Sequence, residues 1–500
     1  MLFLDESPKL LTQIRGGVAI MVRGLGLMLF WLSASAWAGA QFEEMESKPM
    51  LAYVVAKPDG TVINQQNRYL NAAPASTQKL ITATAAKLFL GGSYRFNTQI
   101  ETATKATLKQ GTISQDIRFR LSGAPDFTRK QLREMLKTLR QSGVTKLSGD
   151  ILINVARFDG YYWSNGQSWN DLGVCYTSPA SAVIINRNCV QGNLSVTKQG
   201  ETRVFIPPHE PIRVANSTYA LKTWREMRDR HCGLELHRGD ANHYELVGCF
   251  VERKEAIPMK FSVNDPVTYF ASILTADLKA AGIKHTGQIL KESTVEPEGD
   301  VLVRQRSASL NYLLKKMLKD SDNLIADVVF KTLGAEYYNQ AGSYRSGEAA
   351  VKAILKKQAK LDLYDAIMAD GSGLSRHNLV TVDQLLQVMQ YVYNHETKLK
   401  LLDSLATSGV DGTLKWRTSL RVDALKGKVR GKTGSLKSVV NMVGVIDTVQ
   451  GPRLFAYLVS GYNLPPRHAK KYKNKLNPIR QFERDFFTEL LTTGQLQKKQ

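Results

Sequence analysis

The chain has 500 residues, a formal net charge of +22, and 43% hydrophobic residues. The length is too great for one ordinary domain and the apolar content supplies a real core, so two or three packed domains are expected and a coreless chain is excluded. The charge points to an anionic partner or surroundings. Zinc-finger, RNP and glycine-rich phosphate patterns are absent and the basic residues are scattered, so nucleic acid is set aside. An anionic wall polymer, a membrane surface or a merely basic soluble protein remain.

Residues 24–32 form a short apolar run behind Arg15 and Arg23, followed by small residues from Ser33 to Ala40. This reads as an export signal over residues 1–40, cleaved after Ala38 or Ala40. Asp5 and Glu6 make an unusual leader, so Met21 is a candidate true start, and an uncleaved anchor is the competing reading. No other stretch approaches membrane-spanning length, which leaves at most peripheral membrane association. Export gives meaning to four cysteines, Cys175, Cys189, Cys232 and Cys249, which allow three pairings. The pairs closest in sequence, Cys175–Cys189 and Cys232–Cys249, are favoured. Neither CxxC nor ligand-spaced histidines appear, so no metal site and no cofactor are expected.

Residues 51–56 and 61–64 flank Lys57-Pro58-Asp59-Gly60, a hairpin signature. Ser76-Thr77-Gln78-Lys79 follows, entered by Pro74 and continued by an apolar run up to Gly91-Gly92. A helix there stacks serine and lysine, three apart, on one face. In a desolvated site the amine is partly neutral and can act as a base for the hydroxyl. The pattern alone carries little, since Ser195-Val196-Thr197-Lys198 also fits it but lies in an alternating, strand-like stretch.

From about residue 96 short alternating strands take over, at 117–121 and 151–154, with a helix at 129–142. They read as an insertion separating Ser76 from later chemistry. Within it, residues 169–176 are polar and aromatic, and 183–259 read as strands and turns throughout. Helical spacing resumes over 266–281. A strand at 301–306 is expected to lead back to the first domain.

A helix at 310–318 is followed by Ser321-Asp322-Asn323 and another helix at 324–333. By themselves Ser321 and Asn323 suit helix capping. Residues 370–376 and 411–414 are glycine-containing turns. Lys432-Thr433-Gly434-Ser435 precedes two apolar strands at 439–446 and 454–462. The basic stretch 467–475 reads as a solvated loop, and 478–491 as a terminal amphipathic helix lying on a sheet rather than on a membrane.

Serine-x-x-lysine, Ser-Asp-Asn and Lys-Thr-Gly, in this order, are the motif set of penicillin-binding proteins and class A β-lactamases. The order and the long insert resemble the class C low-molecular-mass penicillin-binding proteins, the D-alanyl-D-alanine carboxypeptidase/endopeptidase family. The resemblance implies an α+β fold in which a transpeptidase-like domain (41–98 and 300–500) is interrupted by an inserted domain (99–182 and 262–299) carrying a nested β domain (183–261). It implies a periplasmic serine hydrolase acting on peptidoglycan peptides and acylated by β-lactams, with Ser76 as nucleophile and Lys79 as base. Ser321 and Lys432 would assist the leaving group, and Asn323 would hold the substrate amide. Thr433, within Lys432-Thr433-Gly434, would bind the terminal carboxylate, and backbone N–H groups of Ser76 and Ser435 would form the oxyanion hole. Asp171 would contact the basic end of a stem peptide with Tyr176 as a wall, the alternative being an aspartate that caps its own turn. A β-lactamase is disfavoured by the insert and by the lack of a placeable deacylating glutamate. A catalytically weak wall-binding protein is opposed by the intact motifs.

Overall fold

A computed structural model describes residues 48–465 and 475–496, together with Phe42, Met45 and Tyr472. The expected export signal, the alternative start at Met21 and most of the basic stretch 467–475 lie outside the described residues. No helix among the described residues is long and apolar enough to cross a membrane.

The scaffold is an antiparallel six-stranded sheet in the order Ala406–Thr407, Val429–Leu436, Val439–Thr448, Gly451–Ser460, Met50–Ala56, Val62–Gln66. Both faces are covered, which is why its central strands read as apolar runs rather than as an alternation. Ala52, Val54, Val443, Val445, Ala456 and Leu458 point into the core shared with the Gln78–Phe89 helix. Tyr53, Val55, Met442, Phe455, Tyr457 and Val459 point the other way, onto Phe482, Phe486 and Phe487 of the Pro478–Thr493 helix. That terminal helix packs on the sheet as its amphipathic pattern implies.

The inserted segment has its own sheets, its apolar residues joining the core of the first domain while the nested sheets keep a small core of their own. Its five-stranded sheet runs Ile289–Glu292, Ile151–Asn154, Ile117–Arg120, Asn97–Thr102, Asp300–Arg306. The last strand was expected to belong with the first domain. It instead pairs antiparallel with Asn97–Thr102, so the outgoing and returning chains satisfy one another's backbone groups. The region from 183 to 261 forms two three-stranded sheets around Leu194, Leu246 and Phe250.

Expected to be strand and turn throughout, that region also contains a short helix, Trp224–Asp229. Its start is signalled by Thr223 and Glu226, whose side chain and backbone N–H meet at 3.1 Å. The Tyr344–Ile354 and Val382–Asn394 helices were likewise unread, although Ser343/Ser346 and Thr381/Gln384 cap them reciprocally. Cys175 bonds Cys189 and Cys232 bonds Cys249.

Candidate active site

Ser76 lies in a tight 3₁₀ turn, Ala75–Thr77, that feeds directly into the Gln78–Phe89 helix. The turn is strained, since Ala75 adopts φ 48°. Neighbouring groups over-determine it. Asn441 Nδ2 donates to the carbonyls of Ala73 and Pro74, both at 2.9 Å. A Cβ on Gly373 would fall 1.8 Å from the Ala75 oxygen, and one on Gly434 would fall 2.7 Å from the Pro74 oxygen. Only glycine lets these two segments close on the serine turn. Gly434 thus has a backbone-approach role that Lys432-Thr433-Gly434 alone did not disclose.

Lys79 is fully buried, and its Nζ lies 2.8 Å from Ser76 Oγ, 2.7 Å from Asn323 Oδ1 and 2.6 Å from the Ser372 carbonyl. Burial pushes this amine down to about 8, although the carboxylates of Asp327, Asp370 and Asp322 partly offset it. Ser372 belongs to a turn organised by Asp370, whose carboxylate accepts from the Gly373 and Ser375 N–H groups, Asn378 and Ser164. Asp327 accepts from the Gly371 N–H at 3.1 Å. Burial, and then the charge of Asp370, raises the Asp327 carboxyl well above the usual range.

Lys432, on the Val429–Leu436 strand, is also fully buried, and its Nζ lies 2.9 Å from Ser321 Oγ and 2.8 Å from the Thr433 carbonyl. Burial, then the charges of Lys79 and Arg417, lowers its affinity for a proton well below that of an ordinary lysine. Ser321 itself has φ 61° at the entry to the Asn323–Tyr338 helix. Thr433 Oγ1 is 2.9 Å from Thr413 Oγ1, and Ser435 is exposed at the strand end. Two buried amines are therefore each set against a serine hydroxyl, an arrangement suited to activating a nucleophile and relaying its proton.

The inserted segment reaches this centre. Asn323 Nδ2 donates to the Tyr176 carbonyl at 2.8 Å, so the backbone of Tyr176 matters as well as its ring. The half-exposed Tyr176 phenol is raised, first by burial and then by its hydrogen bond with Asp171. Asp171, Tyr176, Ser321, Asp322 and Asn323 line one cleft of about 1210 Å³ with residues of the nested sheets. Among the described residues, no group of His, Cys, Asp and Glu is arranged to hold a metal ion.

Asp327, Lys331 and Asn441 contribute to the site although no sequence motif names them. Asn323, Asp327 and Lys331 recur every four residues and so share a helix face, a signal that was available. Lys331 is buried and donates to the carbonyls of Ala180 at 3.1 Å and Tyr161 at 3.3 Å, tying the insert to the helix. For Asn441 there was no local signal.

The family model of D-Ala-D-Ala carboxypeptidase 3 (S13) matches residues 36–485. The D-alanyl-D-alanine carboxypeptidase DacB of Haemophilus influenzae is 35% identical over 419 residues, 83% of this chain and 85% of that protein. A D-alanyl-D-alanine carboxypeptidase of Actinomadura sp. is 26% identical over 411 residues, 78% of this chain and 74% of that protein. The crystal structure of penicillin binding protein 4 (dacB) from H. influenzae superposes with a TM-score of 0.84 at 32% identity, covering 91% of this chain and 98% of that one. A second crystal structure of that protein, complexed with a novel β-lactam, gives a TM-score of 0.79 at 31% identity over the same shares.

Proposed function

The chain belongs to the D-Ala-D-Ala carboxypeptidase 3 (S13) family, and from that premise we propose that Ser76 is the nucleophile of a serine DD-peptidase. The observation that carries this is Lys79 Nζ at 2.8 Å from Ser76 Oγ, the serine fixed by a turn that Gly373 and Gly434 hold closed and the lysine by the helix that follows it.

The enzyme is a D-Ala-D-Ala carboxypeptidase of the penicillin-binding type, acting on peptidoglycan stem peptides and acylated by β-lactams. Ser76 Oγ attacks the carbonyl of the bond preceding the terminal or cross-linking D-alanine and passes its proton to Lys79. The tetrahedral oxyanion is met by the Ser76 and Ser435 N–H groups, a contribution of about 3 kcal/mol per donor. As the bond breaks, the proton held on Lys79 moves to the departing amine, relayed or electrostatically assisted by Ser321 and Lys432. Water then hydrolyses the ester and restores the serine. Asn323 holds the substrate amide, while Thr433, supported by Thr413, takes the terminal carboxylate. The catalytic domain is interrupted by the inserted and nested domains, and the mature enzyme works in the periplasm after signal removal.

Labelling with a fluorescent penicillin, followed by peptide mass mapping, tests the nucleophile. A stable adduct is expected on the peptide containing Ser76 and none on Ser76→Ala. An adduct elsewhere, or equal labelling of the variant, would refute the assignment. Rapid penicillin turnover without an adduct would instead indicate a β-lactamase.

Asp171 is proposed to receive the free amine of a diamino acid in the stem peptide, with Tyr176 as its neighbour. Asp171→Ala is expected to lower kcat/KM on the free-amine peptide about ten-fold, the size of one charge-assisted hydrogen bond, and to spare the blocked peptide. Equal losses on both peptides would remove this role.

A further inference from the structure

Asn186, Arg187 and Asn188 have φ 49°, 63° and 49°, three consecutive side-chain-bearing residues in the left-handed region. Such a run costs free energy at each residue, and asparagine tolerates it better than arginine does. The surroundings impose it. The Asn186 N–H donates to the Phe127 carbonyl at 3.0 Å, and Asn186 Oδ1 accepts from the Arg129 N–H at 3.0 Å. Asn188 is fully buried, with its side chain bonded to the Ile185 N–H and the Val183 carbonyl. The next residue, Cys189, is disulfide-bonded to Cys175.

The turn delivers Arg187 to the centre of the site. Arg187 Nη2 lies 2.6 Å from Asp322 Oδ2, and the Asp322 side chain is only 5% exposed. The other oxygen of Asp322 accepts from the Ile325 N–H at 3.1 Å. Capping the helix occupies that oxygen and by itself calls for no arginine from a distant, strained turn. Asp322 stands between Ser321, on Lys432, and Asn323, on Lys79. Across the disulfide, the residue after Cys175 is Tyr176, whose carbonyl holds Asn323. The two ends of the Cys175–Cys189 bridge thus brace adjacent residues of Ser321-Asp322-Asn323.

We propose that Arg187 is a positioning residue for acylation, clamping Asp322 from the inserted segment so that Ser321 meets Lys432 and Asn323 meets Lys79. The inference rests on the roles proposed above for those four residues. It makes the insert part of the acylation machinery as well as a wall of the substrate cleft.

The test measures penicillin acylation rates of the full mature chain across pH, with thermal unfolding of each variant. Arg187→Met is expected to acylate about 10–100-fold more slowly, the usual consequence of a small misplacement of reacting groups. Arg187→Lys should recover much of the rate, since an ammonium can still pair with Asp322. In an Asp322→Asn background, Arg187→Met should add less than about two-fold, because contacting residues that act through one another are not additive. Lys79 is faced by Asp322, Asp327, Asp370 and the Lys432 amine. Removing Arg187 leaves Asp322 uncompensated, so the acidic limb of the acylation profile should move to higher pH.

Wild-type rates in Arg187→Met would overturn the proposal, as would the same slowing in both backgrounds. Equal slowing and equally lowered unfolding temperature in the Met and Lys variants would reduce Arg187 to a structural residue and overturn it too. Ser76→Ala separates the two levels. If it remains unlabelled while Arg187→Met acylates at full rate, only the Arg187 role falls. If Ser76→Ala is still labelled, the nucleophile assignment beneath it falls.

Discussion

Replacing Lys79 by Met is expected to slow acylation of Ser76 by about 10²–10⁴-fold, the range for losing a positioned general base. The size follows from the amine's position, fully buried and within 2.8 Å of the serine oxygen, with Asn323 and the Ser372 carbonyl completing its partners. The other buried amine nearby, Lys432, is engaged instead with Ser321 and the Thr433 carbonyl. The pH dependence has a definite sign. Below about 8 Lys79 is an ammonium and cannot accept the serine proton, whereas above about 8 it is a free amine. Wild-type acylation should therefore rise with pH through about 8, and Lys79→Met should flatten that rise. Lys432→Met should slow the reaction but leave the limb near 8. A loss below about five-fold in Lys79→Met, or a limb that moves with Lys432 rather than Lys79, would transfer the base role to Lys432 acting through Ser321. Melting curves of each variant distinguish lost chemistry from lost folding.

The largest stability effect is expected at Glu483, on the terminal helix and far from the serine in sequence. Its carboxylate is fully buried and receives Arg417 through both Nε and Nη2, Arg480 at 2.8 Å, the Tyr457 hydroxyl at 2.8 Å and the Ser419 hydroxyl. Burial by itself would raise this carboxyl, but the guanidiniums of Arg417 and Arg480 bring it down to about 2. Glu483→Gln keeps the shape and removes the charge, leaving Arg417 buried without a counter-ion. The expected cost is about 3–5 kcal/mol, read from urea unfolding followed by circular dichroism.

The proton linkage gives a second reading of the same group. Its folded value is depressed from 4.5 to about 2, so its contribution is complete above about pH 4.5 and is lost as pH falls through about 2. The Gln variant should lack that share of the acid dependence. Arg417→Met combined with Glu483→Gln should recover part of the loss, because the buried guanidinium goes with its counter-ion and only the partly exposed Arg480 is left. A loss under about 1 kcal/mol in Glu483→Gln would mean that water reaches Arg417 and that the network does not anchor the helix. The network also reaches the candidate site, since the charge of Arg417, after burial and the charge of Lys79, helps lower the proton affinity of the Lys432 amine.

The sequence by itself determined what is local or periodic. The Ser76-to-Lys79 spacing, the helices at 129–142 and 266–281 and the terminal amphipathic helix follow from a repeat of about 3.6 residues, and the strands at 439–446 and 454–462 from short unbroken apolar runs. The motif trio pointed to acyl transfer, because that chemistry needs those residue types whatever the rest of the chain does. Pairing cysteines by nearness in sequence worked because both loops are short, closing over separations of 14 and 17 residues.

The tertiary structure alone decided what brings these pieces within bonding distance. Asp300–Arg306 is a good strand in any context, and only its partner Asn97–Thr102 assigns it to the insert's sheet. Asn441 has no signature, and Gly373 only that of a turn, until a strand and a turn from distant segments close on the strained turn at Ser76. The proton affinities of Lys79 and Lys432 are properties of burial, which a spacing rule does not measure. Arg187 is an unremarkable basic residue in sequence. It gains meaning only where a left-handed turn and a disulfide set it 2.6 Å from Asp322, because an ion pair across 135 positions is written in the fold rather than in any local pattern.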